Sequence, residues 1–164
     1  MITVGILTVS DRASKGERED ASGPEIRKWA ESLGFQVTDE RVTSDDIETI
    51  RQALIEMSGK GVDLLLSTGG TGLGGRDNTP EATRTVLDKE APGFSEAIRA
   101  GSIKITPNGM LSRGVSGIRG KTIIINMPGS PKAVRESLEI IEKALPHAVQ
   151  MLGGGQYDCA TERL

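Results

Sequence analysis

The sequence is poor in the side chains that most enzymes use as nucleophiles or bases, with one cysteine and one histidine among 164 residues. The lone Cys159 excludes an internal disulfide and any multi-cysteine metal site. It sits in a polar run, Gly-Gly-Gly-Gln-Tyr-Asp-Cys, and reads as a bystander thiol. His147 follows Pro146 in a C-terminal helical stretch, remote from the other candidate residues, and reads as structural. No Gly-x-Ser-x-Gly elbow is present, which argues against a Ser/His hydrolase. Aromatic residues make up only 2% of the chain and the formal charge is −3. Stacking platforms and a basic footprint are both missing, so nucleic acid is not an expected partner. No apolar run approaches the ~20 residues of a membrane helix, and Met1-Ile2-Thr3-Val4 carries no basic leader. No membrane partner is expected, and a reducing cytoplasm is the default compartment.

What the chain does contain is a regular alternation of strand and helix signals. Ile2–Val9, Val62–Ser67 and Thr122–Asn126 are apolar, β-branched runs that read as buried strands, and Phe35–Val42 is a weaker alternating one. Helical periodicity marks Ser22–Leu33 and Asp45–Ser58, followed by Pro80–Lys89 and Ser130–Leu145. This order predicts an α/β three-layer sandwich, with a mostly parallel central sheet and helices on both faces. Ala91–Gly120 breaks the rhythm and reads as a small inserted subregion, with a short helix near Phe94–Ala100 and room for a hairpin. Residues 1–152 form a single expected domain, and 153–164 a polar tail. A domain of this size buries roughly 68–70% of its unfolded surface, enough for an unaided core.

In open α/β sheets, ligands sit beyond the carboxyl ends of the strands. One rim should therefore collect Ser10-Asp11-Arg12, Thr43-Ser44-Asp45, the segment 68–79, and Met127–Ser130. The segment Thr68-Gly69-Gly70-Thr71-Gly72-Leu73-Gly74-Gly75-Arg76-Asp77-Asn78-Thr79-Pro80 leaves a strand and enters a helix. Glycines let successive N–H groups turn toward one anion, and the helix start adds a positive dipole end. Gly70-x-Gly72-x-x-Gly75 fits the dinucleotide fingerprint only literally. The helix begins later, at Pro80, and Asp88, Lys89 and Glu90 read as helical where a strand-end acid is needed. Gly120-Lys121-Thr122 resembles the end of a P-loop, but a strand follows it and Val115 replaces the first glycine.

Asp45 follows a strand and, with Glu48, also reads as a capping box. Asp77 is either a loop hydrogen-bonder or a carboxylate for a divalent cation. On one rim the two acids fit Mg²⁺, which takes one or two carboxylates plus phosphate oxygens. Ser130-Pro131 is a helix cap whose exposed end, with Pro128 and Gly129, also suits an anion. Ser112-Arg113 reads either as a solvated turn or as a hydroxyl and guanidinium for an anionic ligand. A rim without His or Cys suits transfer to a phosphate nucleophile, already ionised near pH 7 and in need of little base catalysis.

These stretches, in this order, resemble the molybdopterin adenylyltransferase family of molybdenum-cofactor biosynthesis, shared with the G domain of gephyrin. They are Gly5–Arg12 (GILTVSDR), Ser44-Asp45, Ser67–Thr83 (STGGTGLGGRDNTPEAT), Pro92-Gly93-Phe94, Leu111-Ser112-Arg113 and Thr122–Pro131 (TIIINMPGSP). The resemblance implies an enzyme that uses MgATP to adenylate the terminal phosphate of molybdopterin, releasing pyrophosphate. It implies catalysis through Mg²⁺ at Asp45 and Asp77, and substrate contacts from Ser10, Asp11, Arg12, Thr68, Gly69, Gly70, Thr71, Gly72, Ser112, Arg113, Pro128, Gly129 and Ser130. Ser44 stands where the family usually has proline, and Asp46 follows; by register the family's first acid falls on Asp45. A homotrimer, or a hexamer, and a partner protein that inserts molybdate are also implied. The alternatives are a binding or scaffold protein of the same fold without transferase activity, and a metal-insertion domain of the same superfamily.

Overall fold

The computed structural model describes residues 1–154, so Cys159 and all of the tail beyond Gly154 lie outside the described residues. Six strands form one sheet: β1 (Thr3–Val9), β2 (Gln36–Thr43), β3 (Leu64–Thr68), β4 (Lys89–Glu90), β5 (Ser116–Arg119) and β6 (Thr122–Met127), in the order β2-β1-β3-β6-β5-β4. The first three strands and β6 run parallel, while β5 and β4 add an antiparallel edge, and β1 leads into the short helix α1 (Asp11–Ser14). The expected fold class is the one observed.

Parallel strands covered on both faces must be apolar throughout, which explains the unbroken runs. Side chains along them alternate between two cores. Leu64, Leu66, Ile123 and Ile125 pack with Ile26 and Ala30 of α2 (Gly23–Ser32), Ile98 of α5 (Gly93–Ile105) and Val134 and Leu138 of α6 (Pro131–Ile141). Leu65 and Ile124 face the other way, against Ile50, Leu54 and Met57 of α3 (Ile47–Gly59) and Ala82 of α4 (Thr79–Arg84). Each fully buried side chain of this kind contributes roughly 1.5–3 kcal/mol over an exposed one. Among the described residues, no helix is long and apolar enough to cross a membrane.

The register places the site. Val9 pairs with Thr43, Thr8 with Thr68, and Thr68 with Met127, so four strands end at one level and their loops open on one rim.

Several local expectations are corrected. Asp46, not Asp45, caps α3: its carboxylate accepts from the Thr49 N–H at 2.9 Å. The helix expected over Pro80–Lys89 stops at Arg84, where the Thr83 and Thr85 hydroxyls turn back onto helix carbonyls. Lys89–Glu90 is strand β4, because the Asp88 N–H (2.8 Å to the Ile118 carbonyl) and the Ala91 N–H (3.0 Å to the Ser116 carbonyl) stitch it to β5. That removes one argument against the dinucleotide fingerprint; the other stands, since α4 starts only at Thr79. Within 91–120, the helix runs on to Ile105, a 3-10 turn covers Pro107–Leu111, and β5 forms a hairpin with β6 inside the main sheet. Gly120 and Lys121 are that hairpin's turn. The helix expected over Ser130–Leu145 ends at Ile141, and α7 (Leu145–Leu152) begins separately with Pro146 in its first turn, where a missing N–H costs little. His147 lies on α7 and lines neither hollow of the rim described below.

Candidate active site

The glycine-rich loop starts with two left-handed residues, Gly69 (φ 94°) and Gly70 (φ 64°). A Cβ on Gly69 would lie 2.2 Å from the Val9 carbonyl oxygen, so only glycine lets the loop cross the end of β1 this closely. A Cβ on Gly70 would meet the Thr79 hydroxyl at 2.4 Å and Asp45 Oδ1 at 3.1 Å, which places the Asp45 carboxylate against the loop. Thr79 ties the loop to the start of α4: its N–H donates to the Gly70 carbonyl at 3.1 Å and its hydroxyl to the Gly69 carbonyl at 2.8 Å. Among the described residues, the N–H groups of Gly70, Thr71 and Gly72 find no protein acceptor. Three consecutive donors are thus left for an anion; Gly70 lines the hollow described below, while Thr71 and Gly72 do not.

The second loop closes on the first. Gly129 would place a Cβ 3.4 Å from the Gly69 Cα, and the Thr68 hydroxyl donates to the Pro128 carbonyl at 2.7 Å. Ser130 caps α6, its hydroxyl accepting from the Ala133 N–H at 3.2 Å. Asp77 curls beneath the loop, where Oδ2 accepts from the Gly74 N–H at 2.7 Å. Asp45 Oδ2 accepts from the Asp11 N–H, also at 2.7 Å. Each acid thus uses Oδ2 on a backbone donor, while no protein donor reaches either Oδ1 among the described residues. Both acids line one hollow of about 250 Å³, together with Ser10, Gly69, Gly70 and Gly129.

Electrostatics distinguish the acids. Burial raises the Asp45 carboxyl above its ordinary range, and the charges of Asp11 and Asp77 add to the effect; the Asp11 N–H and Arg76 oppose it. Asp11 is shifted down by the Arg76 guanidinium, and Asp46 by the Thr49 N–H that it caps. Asp46 is thus occupied at the helix end, leaving Asp45 as the acid that faces the hollow. A half-buried carboxylate with a like charge nearby is the setting that a bound cation relieves. No three His, Cys, Asp or Glu side chains come together as a metal cage among the described residues. Two free carboxylate oxygens therefore fit Mg²⁺ only if phosphate oxygens complete its shell, which is the ion's usual habit.

The remaining expected residues divide. Ser112 and Arg113 line a second hollow of about 390 Å³, with Arg84, Arg99, Glu90 and Glu96 in its wall. Arg113 also braces the glycine loop. Its Nε donates to the Gly72 carbonyl at 2.7 Å, its Nη2 to the Asp77 carbonyl at 2.6 Å, and its Nη1 to Glu81. Its backbone N–H holds the Thr71 carbonyl at 2.9 Å. Arg113 thus lines the second hollow while its guanidinium holds the backbone of Gly72 and of Asp77, and Asp77 lines the first. Asp11 lies behind Asp45 and is engaged by Arg76, while Arg12 is exposed and lines neither hollow.

Residues 5–147 match the family described as "Probable molybdopterin binding domain". The chain belongs to the MogA/MoaB molybdopterin-binding and adenylyltransferase family, with a domain like the G domain of gephyrin. It is 43% identical to a molybdopterin adenylyltransferase of Helicobacter pylori over 93% of this chain and 89% of that one. Dictyostelium discoideum gephyrin is 42% identical over 91% of this chain and 22% of its own length. Among solved structures, the molybdopterin biosynthesis enzyme MoaB of Thermus thermophilus superposes with a TM-score of 0.88 at 45% identity, covering 96% of this chain and all of that one.

Around the rim of this MogA/MoaB member lie contacts that the motifs alone did not reveal. Arg76 and Asn78, on either side of Asp77, bond to Asp11 and to the Asp45 carbonyl. Asp20 accepts from the Thr8 hydroxyl and the Ser22 and Gly23 N–H groups, pinning another wall of the first hollow. The only signal for Asp20 was its place just before the Ser-Gly-Pro helix entry.

Proposed function

We propose that the protein is a molybdopterin adenylyltransferase. A terminal phosphate oxygen of molybdopterin attacks the α-phosphorus of ATP. A phosphorus–oxygen bond forms there as the bond to the β-phosphate bridge breaks, and pyrophosphate leaves with that electron pair. The observation that carries the reading is that Asp45 and Asp77, each with one carboxylate oxygen left without a protein donor among the described residues, line one hollow together with Gly70 of the glycine loop. The first hollow is assigned to the triphosphate, with Ser10, Gly69, Gly70 and Gly129 around it and Thr71, Gly72 and Ser130 on the adjoining loops. The second, with Ser112, Arg99 and Arg113, is assigned to the phosphorylated pterin. Bound Mg²⁺ would neutralise the meeting phosphates, held by Asp45 and Asp77. The protein's own part is to orient both anions and to stabilise developing charge with fixed dipoles, so no His or Cys is needed.

The test is pyrophosphate release with ATP, Mg²⁺ and molybdopterin. Asp77→Asn should slow it by roughly 10²–10³, the scale of losing one preorganised electrostatic group. Equal rates for variant and wild type would reject the role of Asp77. Pterin binding without pyrophosphate release would favour the scaffold reading, against which the presence of both acids speaks. The proposal extends to assembly as a homotrimer, or a hexamer, and to delivery of the adenylated pterin to a molybdate-inserting partner.

A further inference from the structure

The two acids are spaced by a set of contacts that neither reactant supplies. Asp11 and Asp45 exchange backbone-to-carboxylate bonds: the Asp11 N–H donates to Asp45 Oδ2 at 2.7 Å, and the Asp45 N–H to Asp11 Oδ1 at 3.0 Å. Arg76 closes on the same Asp11 carboxylate with a fork, Nε to Oδ2 at 2.9 Å and Nη2 to Oδ1 at 2.8 Å. Asn78 Nδ2 donates to the Asp45 main-chain carbonyl at 2.9 Å. Arg76 and Asn78 are the sequence neighbours of Asp77. The tripeptide that bears one acid is thus fastened to the acid of the other loop directly through Asn78 and, by way of Asp11, through Arg76.

We propose that Asp11, Arg76 and Asn78 are positioning residues, a brace that fixes Asp45 relative to Asp77 so that the two carboxylates could serve one divalent cation. The inference rests on the proposed two-acid cation site and adds the residues that set its span. The Asp11 carboxylate is filled by Arg76 and the Asp45 N–H, so its part is to hold Asp45 rather than to touch a reactant. The Arg76 side chain is 63% exposed. An exposed ion pair adds little to stability, so losing this one should move the geometry of the acids more than the fold. Outer partners of metal ligands typically change metal affinity about 10–100-fold when removed.

Arg76→Gln, Asn78→Ala and the double variant separate the brace from a merely structural role. Mn²⁺ binding is titrated by electron paramagnetic resonance in the presence of α,β-methylene ATP, which cannot transfer its adenylate. Thermal unfolding and the Mg²⁺ dependence of pyrophosphate release are followed in parallel. The double variant should bind Mn²⁺ at least about tenfold more weakly, recover much of its rate at raised Mg²⁺, and unfold within about 2 °C of wild type. Arg76→Lys keeps the charge but loses the fork, and should lie nearer Arg76→Gln than wild type. If the double variant fails to fold, the single variants carry the same comparison. Mn²⁺ affinity within about twofold of wild type in the variants overturns the brace alone, whatever the unfolding midpoint does. Failure of the wild type to bind Mn²⁺ overturns the two-acid reading and the brace with it.

Discussion

At the scale of single residues, the loop's glycines are not equivalent. Gly69 has φ 94° and main chain 2.2 Å from where a Cβ would sit, and main chain cannot rotate aside. Gly75 has nothing within 4 Å of its Cβ position and no positive φ. Gly69→Ala should therefore cost roughly 2–5 kcal/mol, the sum of a left-handed backbone and an overpacked contact. Gly75→Ala should be neutral or slightly stabilising, by up to about 1 kcal/mol. Denaturant unfolding of the two variants checks this, and equal losses would contradict it. Residue scale is also where sequence reading met its limit at the acids. Asp45-x-x-Glu48 and Asp46-x-x-Thr49 both fit a helix cap, one position apart. The choice is made by Asp11, 34 residues away, which binds Asp45 and keeps it out of the helix. No local pattern carries that contact.

At the scale of elements, β2 is an edge strand paired to β1, and ion pairs tie its outer side to α3. Asp39 receives Lys60 of the α3 C-cap at 2.8 Å and its strand neighbour Arg41 at 3.3 Å. Burial works to raise the Asp39 carboxyl, but the bonds from Lys60 and Arg41 outweigh it and the net shift is downward. A depressed folded pKa adds stability above the unfolded value, and that stability is lost as pH falls through the folded one. Asp39→Asn should thus lower the unfolding free energy by about 1 kcal/mol at pH 7, or about 2–4 °C. The deficit should shrink below about pH 4; an undiminished deficit at pH 3 would rule out the ionic account. Elements buried on both faces were legible in sequence because burial writes long apolar runs, as in Leu64–Thr68 and Thr122–Met127. Strand β4 was not, since Lys89 and Glu90 are exposed and carry no apolar signal. Pairing with β5 makes them a strand, a tertiary decision that local propensity does not record.

At the scale of the whole molecule, one flank is more apolar than a solvated surface requires. Phe94, Ala97, Ile140 and Ala144 line an apolar hollow of about 330 Å³ between α5 and α6. Ile103, Ile105, Met110 and Leu111 are exposed on the end of α5 and the turn packed against it. The proposed homo-oligomer is the occupant that this flank suits. Ile140→Asp should shift sedimentation from oligomer to monomer, and an unchanged coefficient would move the interface elsewhere. The same scale holds a consequence of Arg113, whose guanidinium grips the glycine loop while its side chain walls the second hollow. Whatever stiffens that side chain from one side lowers the ordering entropy still to be lost on the other. Linkage makes such help mutual: the factor by which one guest tightens its companion's hold equals the factor returned. A reactant held by the glycine loop and one held beside that arginine would thus be recruited as a pair, each the other's activator.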